Sequence, residues 1–463
     1  MANTAPKALH TDLYQLTMML GYLRQGMAQT PVVCEAFVRR LPQNRSFLLT
    51  AGLASIVQYL QTLHFTPEQL DYLASLEVLH DQLDDDTRRR LLELRFEGDL
   101  WAMPEGSVAF ANEPLLRVEA PLWQAQLVET ALLSLLNHAT AVASKAVRIV
   151  TAARGVGVME FGTRRTNIDA AVEAARAAYI AGCIGSSNVE AGMRYGVPVH
   201  GTMAHMWTMV HESEAAAFDG FLASYPSGAT LLVDTYDILE GTRRACASAR
   251  GAGEPSRLRA VRVDCQLFEA DGRPTGICRR VRQVLDSEGL SHTRIIVSDD
   301  LNEQRIAALL DAREPIDGFG VGTELVTSKD APALGGVYKV VWVGGPEGRP
   351  TAKLSPGKVT YPGAHQVFRR YGHDGTIAAD ELALAQELLP GEPLLQPILR
   401  GGRLVIDPLE LHDLSVPRRR AREQMARLSS QTILAREPAL TVTPSASLRR
   451  LEQATRRRLA GEE

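Results

Sequence analysis

An α/β fold centred on an irregular parallel β/α barrel is what this sequence predicts, and three observations predict it. Between about residues 155 and 323, short apolar runs recur at Val156 to Phe161, Val197 to Gly201, Leu231 to Thr235, Val261 to Asp264, Ile295 to Ser298 and Gly318 to Val321. Each ends in polar or glycine residues, as buried strands do. Between them lie stretches rich in Ala, Leu and Arg at helical spacing: Ile168 to Ile180, Glu214 to Ser224, Ile277 to Leu285 and Asn302 to Ala312. Parallel strands need crossovers of this kind. Finally, candidate site residues follow nearly every run, the habit of a barrel, whereas a doubly wound sheet, the alternative, gathers them at one switch point.

Taken in order, residues 1–145 predict an N-terminal α+β domain. Its first helix starts at the capping pair Thr11 and Asp12, with Leu13, Leu16, Leu20 and Leu23 as the buried stripe and Tyr14 off it. A strand follows at Val32 to Val38, then helices to about residue 97 and β-like sequence around Val108 to Val118. Residues 146–345 form the barrel and carry the site. Residues 346–410 form a β-rich segment expected to pack on the N-terminal domain, with strands at Val337 to Val343 and Ala352 to Leu354 flanking the boundary and a basic turn at Lys353 to Lys358. Residues 411–463 read as a charged helical tail.

Composition narrows the function. The chain has 463 residues, 45% of them hydrophobic, enough for a large core in two or three domains. A net charge of −4 makes no electrostatic case for nucleic acid or an anionic membrane, and the arginines at 418–420 and 456–458 suit solvated helix faces. Cys34, Cys183, Cys246, Cys265 and Cys278 form no C-x-x-C pair and no even framework, so neither a zinc site nor a disulfide scaffold is expected. Met1 to His10 has no apolar leader and no long apolar run follows, which predicts a cytoplasmic protein.

The segments Glu160 to Arg165 and Gly201 to His205 place two arginines, a threonine and a histidine at consecutive strand ends. With Thr11 to Met18, Pro104 to Gly106, Asn112 to Leu116, Ser186 to Asn188, Gly320 to Thr323 and Gly335 to Lys339, they form an ordered series of motifs over residues 8 to 370. The series resembles the nicotinate phosphoribosyltransferases. Each string alone is weak, but so many in order are specific.

The resemblance implies a type II phosphoribosyltransferase: an N-terminal α/β domain beside an irregular barrel, in a homodimer whose active site borrows residues from the neighbouring subunit. The reaction joins nicotinate to phosphoribosyl pyrophosphate, giving nicotinate mononucleotide and pyrophosphate in NAD salvage. ATP hydrolysis is coupled to the transfer through a phosphohistidine, carried over to His205. Thr202 and Arg262 match positions that hold nicotinate, and Tyr14 matches a stacking tyrosine. An arginine fork suits a carboxylate, and nicotinamide, lacking one, would leave it underpaired at about 2 to 3 kcal/mol. Phe161 is either the other wall of the ring slot or a buried barrel phenylalanine.

The pyridine nitrogen needs no general base, so the protein's work is positioning and charge management, with Mg2+ and cations on the leaving pyrophosphate. Arg164 and Arg165 are expected at phosphate oxygens. Gly320, Gly322 and Thr323 form a glycine-rich turn suited to the ribose 5-phosphate. Ser186 and Ser187 either meet phosphate or cap the following turn. Asp264 and Asp300 are candidate Mg2+ ligands, with Asp234 and Asp299 beside them, and Asp300 is alternatively a helix cap. The plain alternative for His205 is a hydrogen-bonded core histidine, and His200 and His211 are read as structural.

One departure stands out. Where the family reads Asp-Ser-Gly-Asp, this chain has Asp264-Cys265-Gln266-Leu267, losing a glycine expected to make a tight turn and one carboxylate. The alternatives it leaves open are a non-catalytic or slow relative, and transfer to another pyridine such as nicotinamide.

Overall fold

The computed structural model describes residues 7–253, 255–355, 357–358 and 360–461. Met1 to Pro6 of the expected leaderless start, Pro356 of the basic turn and the last two residues of the tail lie outside them. The chain divides into two compact units, one of residues 1–144 and 331–463, the other of residues 145–330. Among the described residues no helix is long and apolar enough to cross a membrane.

The second unit holds a sheet of six parallel strands in the order Gly185–Ser186, Gly157–Glu160, Gly318–Val321, Arg294–Val297, Leu258–Val263, Ala229–Leu232. Five of the expected runs are strands in this sheet. The sixth, Val197 to Gly201, is reduced to a single parallel bridge between Ser186 and Val199. Among the described residues nothing pairs that stretch with Ala229–Leu232, so the barrel is open along one seam.

The crossovers are helices because their sequences cap and bury them. Asn167, Ser213, Asp237 and Asn302 each accept a backbone N–H at the start of Ile168–Ile180, Glu214–Ser224, Ile238–Gly251 and Glu303–Asp311, satisfying donors that a helix leaves open. Ile168–Ile180 buries Ala171, Val172, Ala174, Ala175 and Ala178, small residues that let it lie close to the strands. The fully buried Lys145 ties two segments together, meeting Glu303 at 2.6 Å and Glu324 at 3.4 Å.

The first unit is built on an antiparallel sheet ordered Arg349–Pro350, Gly336–Val343, Pro31–Val38, Pro114–Pro121, Asp99–Ala102, Gln396–Arg400, Arg403–Leu404. Gly336–Val343, grouped with the barrel from sequence, pairs instead with Pro31–Val38 along most of its length, because its alternating run fits an antiparallel neighbour. Ala352 to Leu354 forms no strand. A second sheet joins His365–Tyr371, Ile377–Leu384, Glu392–Pro393 and Thr443–Pro444. Beyond residue 411 lie Ser415–Met425, Ser430–Leu434 and Ala446–Ala460, each burying one or two side chains.

The first helix is Leu13–Arg24. Asp12 stands at its cap position without making a cap bond, since its carboxylate accepts the Thr130 hydroxyl at 2.8 Å. The buried stripe keeps Leu16 and Leu20 of the expected leucines and adds Gln15 and Met19, whereas Leu13 and Tyr14 are exposed and Leu23 is half-buried.

Candidate active site

In a parallel sheet all C-terminal strand ends share one edge, and the sequence candidates of the second unit gather there. Arg262, on Leu258–Val263, is the centre. Its Nη1 donates to Thr202 Oγ1 at 3.1 Å, its Nη2 to Asp264 Oδ1 at 2.9 Å, and its Nε to Ser298 Oγ at 2.8 Å. The guanidinium carbon lies 5.6 Å from the centre of the Phe161 ring, within cation–π range. Phe161 is half-buried, neither a free ring nor a core residue.

Phe161 also explains a glycine. A Cβ on Gly320 would lie 2.4 Å from the Phe161 ring, so the ring occupies space that only glycine leaves open. Gly320 sits inside the strand Gly318–Val321, whereas Gly322 and Thr323 follow it, Thr323 opening the short helix Thr323–Val326. The neighbouring Glu324 is anchored by Lys145 and by Lys329 at 3.2 Å.

His205 begins the helix His205–Met209 with a side chain 42% exposed, which rules out the core-histidine alternative. Its Nδ1 is 3.1 Å from the Thr235 hydroxyl and its Nε2 is 4.0 Å from Asp234 Oδ1. Asp234 Oδ2 accepts the Asp264 N–H at 2.9 Å, which joins the histidine to the arginine cluster. His211 bonds the Trp207 carbonyl at 2.7 Å and packs on the Trp207 ring. His200 fills the space over Gly185.

Arg164 and Arg165 lie exposed on the turn Thr163–Arg165, beside this edge but outside the cluster. The Ser186 hydroxyl donates to the buried Glu160 at 2.6 Å while its oxygen accepts the Asn188 N–H at 2.9 Å, so it caps the turn that follows. Ser187 donates its N–H to the Glu160 carbonyl at 2.9 Å, and the helix Val189–Tyr195 is capped by Asn188. Burial pushes the Glu160 carboxyl above its ordinary range, opposed by hydrogen bonds from Ser186 and Gly162. Tyr14 belongs to the other unit, half-exposed on its helix.

The acidic residues divide. Asp300 does not cap the next helix, because Asn302 takes that role; Asp300 is exposed with φ +45°. Asp299 has φ +115°, a region nearly closed to residues with a Cβ. Burial raises its carboxyl, with Asp300, Asp264 and Asp234 adding to the effect and Arg305 opposing it. Burial, with Asp234, Asp299 and Asp264 beside it, pushes the Cys265 thiol up to about 12. Among the described residues no trio of His, Cys, Asp and Glu is placed to hold a metal ion unaided.

The departure at 264–267 now has a structure. Gln266 adopts φ +56°, so the turn expected to be lost with its glycine is kept, in a left-handed conformation costing about 1 kcal/mol. Leu267 is buried, pointing apolar surface where an acid was expected to serve.

The roles of Ser298 and Thr235 were not read from sequence. Each is a hydroxyl closing an apolar run, a signal too common to single out.

Two family models match the chain: the nicotinate phosphoribosyltransferase N-terminal domain over residues 9–137 and the nicotinate phosphoribosyltransferase family over residues 156–248. Nicotinate phosphoribosyltransferase pncB2 of Mycobacterium tuberculosis is 46% identical over 86% of this chain and 83% of its own length. The chain belongs to the nicotinate phosphoribosyltransferase family. The human nicotinate phosphoribosyltransferase is 32% identical over 95% of this chain and 94% of its own. A crystal structure of human nicotinic acid phosphoribosyltransferase superposes with a TM-score of 0.81 at 30% identity, covering 96% of this chain and 99% of that one. Nicotinate-nucleotide pyrophosphorylase from Pyrococcus furiosus superposes at 0.71 and 26% identity, over 92% and 97%. The irregular barrel and companion α/β domain expected from the motifs are thus the architecture of the family.

Proposed function

We propose that the protein transfers phosphoribosyl from phosphoribosyl pyrophosphate to nicotinate in NAD salvage, with ATP hydrolysis coupled through a phosphate carried on His205. The carrying observation is Arg262, a partly buried guanidinium beside an aromatic ring at the strand-end edge. Its terminal N–H groups pair the pyridine carboxylate while Phe161 lies along the ring, leaving the ring nitrogen to attack the ribose C1. Nicotinamide offers no charge to this arginine, so the site prefers the acid.

Positive charge grows on the sugar as the bond to pyrophosphate breaks. Asp264 and Asp234, at the same strand-end edge as Arg262, would steady that charge, and Arg164 and Arg165 would take the pyrophosphate oxygens. The N–H groups around Gly322 and the Thr323 hydroxyl serve the 5-phosphate. Asp264 and Asp300 would hold Mg2+ together with substrate phosphates, in keeping with an ion usually bound by one or two carboxylates, and the ion neutralises the leaving group when bound. Asp264 fits this part: Oδ1 takes the Arg262 and Ser298 bonds, and among the described residues no hydrogen bond is made to Oδ2.

A homodimer completes the reading. Leu13, Tyr14 and Met18 leave apolar surface exposed on the first helix, and Val189, Met193, Met206, Met209 and Val210 do so beside the strand-end edge. Uncovered apolar surface of this kind suits a second copy, whose Tyr14 would stack on nicotinate. The cytoplasm is the proposed location. A second reading, a relative that binds without turnover, draws on the buried Leu267.

Formation of nicotinate mononucleotide from nicotinate, phosphoribosyl pyrophosphate and Mg2+, with and without ATP, tests this in the wild type and in His205→Ala. Product from the wild type, with only the ATP stimulation lost in the variant, supports the reading. No product from any pyridine overturns it in favour of the non-catalytic relative.

A further inference from the structure

We propose that Ser298 is a positioning residue for nicotinate recognition, fixing which two N–H groups of Arg262 face the substrate carboxylate. The proposal rests on the nicotinate reading above. A guanidinium carries five N–H groups. Among the described residues three of Arg262's are taken: Nε–H by Ser298, one on Nη1 by Thr202 and one on Nη2 by Asp264. One remains on each terminal nitrogen, the number that two carboxylate oxygens need for parallel hydrogen bonds.

Ser298 is what keeps the count at two. Its oxygen accepts the Nε–H while its own proton goes to Asp264 Oδ1, the oxygen that also receives Nη2. Arg262, Ser298 and Asp264 therefore close a ring of hydrogen bonds along one edge of the guanidinium. The serine that closes it is held firmly, 5% exposed and with its backbone N–H on the Val263 carbonyl at 3.0 Å.

Removing the hydroxyl frees Nε–H and leaves Asp264 with one donor fewer. The guanidinium then offers a second edge that competes for the carboxylate, and its orientation rests on Thr202 and Asp264 alone. Ser298 touches no substrate in this scheme; it acts through the arginine.

Steady-state kinetics of the full chain with Ser298→Ala and Ser298→Thr test the proposal. Ser298→Ala is expected to raise the KM for nicotinate at least ten-fold, as for a lost hydrogen bond to a charged group. Its kcat and its KM for phosphoribosyl pyrophosphate stay within about three-fold, its nicotinate-to-nicotinamide preference narrows, and Ser298→Thr, which keeps the hydroxyl, recovers most of the nicotinate KM. A nicotinate KM within two-fold of wild type in Ser298→Ala, or one no higher than in Ser298→Thr, overturns the role of Ser298. So does a uniform fall in all parameters accompanied by a lower melting temperature. A wild type that makes no product from nicotinate removes the functional reading itself, and the proposal with it.

Discussion

Asp234 Oδ1 lies 4.0 Å from His205 Nε2 with its side chain almost wholly buried, while its other oxygen holds the backbone of Asp264. Among the described residues this Oδ1 makes no hydrogen bond, which is costly for a buried carboxylate oxygen, and the imidazole is a cation-capable group beside it. Asp234→Asn keeps an acceptor for the Asp264 N–H but removes the charge. The ATP-dependent increment in product formation is expected to fall at least ten-fold, measured as the ratio of rates with and without ATP.

Arg262→Ala is expected to lower kcat/KM for nicotinate by about 30- to 150-fold, the equivalent of about 2 to 3 kcal/mol for a charge-assisted pair. Activity on nicotinamide should change far less. A variant that keeps its preference for the acid would place the carboxylate elsewhere.

Gly320→Ala pushes a methyl into the Phe161 ring. Overpacking of this kind costs about 1 to 3 kcal/mol. Chemical denaturation should register that loss, and the displaced ring should raise the nicotinate KM. An unaltered KM would separate Phe161 from substrate.

Gln266→Gly relieves the left-handed residue at φ +56°. Since glycine brings its own entropic cost, the net gain is expected to be modest, about 0.5 kcal/mol, read from the denaturation midpoint.

Asp299 has a folded-state pKa raised above its unfolded value. The unfolded chain therefore loses this proton first as pH rises, and the native state loses stability through the window above the ordinary aspartate range until the folded group also ionises. Asp299→Asn, which cannot ionise, is expected to melt higher than wild type at pH 7 and to lose that advantage toward pH 4. Equal melting temperatures across the range would show that the carboxyl ionises without cost.

The barrel was legible because its strands are apolar and its helices Ala-rich: Ile168–Ile180 and Glu214–Ser224 have the bounds expected of them. Ile238–Gly251 was passed over because its buried face mixes the polar Thr242 and Ser248 with the small Gly241, Ala245, Cys246 and Ala249, which leaves a weak apolar stripe. Gly185–Ser186 was missed because two small residues carry no hydrophobic signal. At the site, Thr202, Arg262, Asp264 and Phe161 were named from motifs and do meet. The links through Asp234, Thr235 and Ser298 depend on which strand ends are neighbours, and Gly336–Val343 took its place through a partner some 300 residues earlier in the chain, between Val38 and Gly336. Pairings of that kind are written in the sheet order.

The open seam of the barrel gives Arg262 and His205 two kinds of support. Arg262 stands on a strand with neighbours on both sides, so its position is as firm as the ladder. The stretch that bears His205 runs between Val199 and Ala229, where among the described residues helices, turns and side-chain bonds hold it and no strand pairing does. Displacing it breaks no strand pairing. On the proposed function, the histidine that exchanges phosphate with a nucleotide would thus be carried by the part of the wall free of strand pairing, and the arginine that selects the substrate by the part held in the ladder.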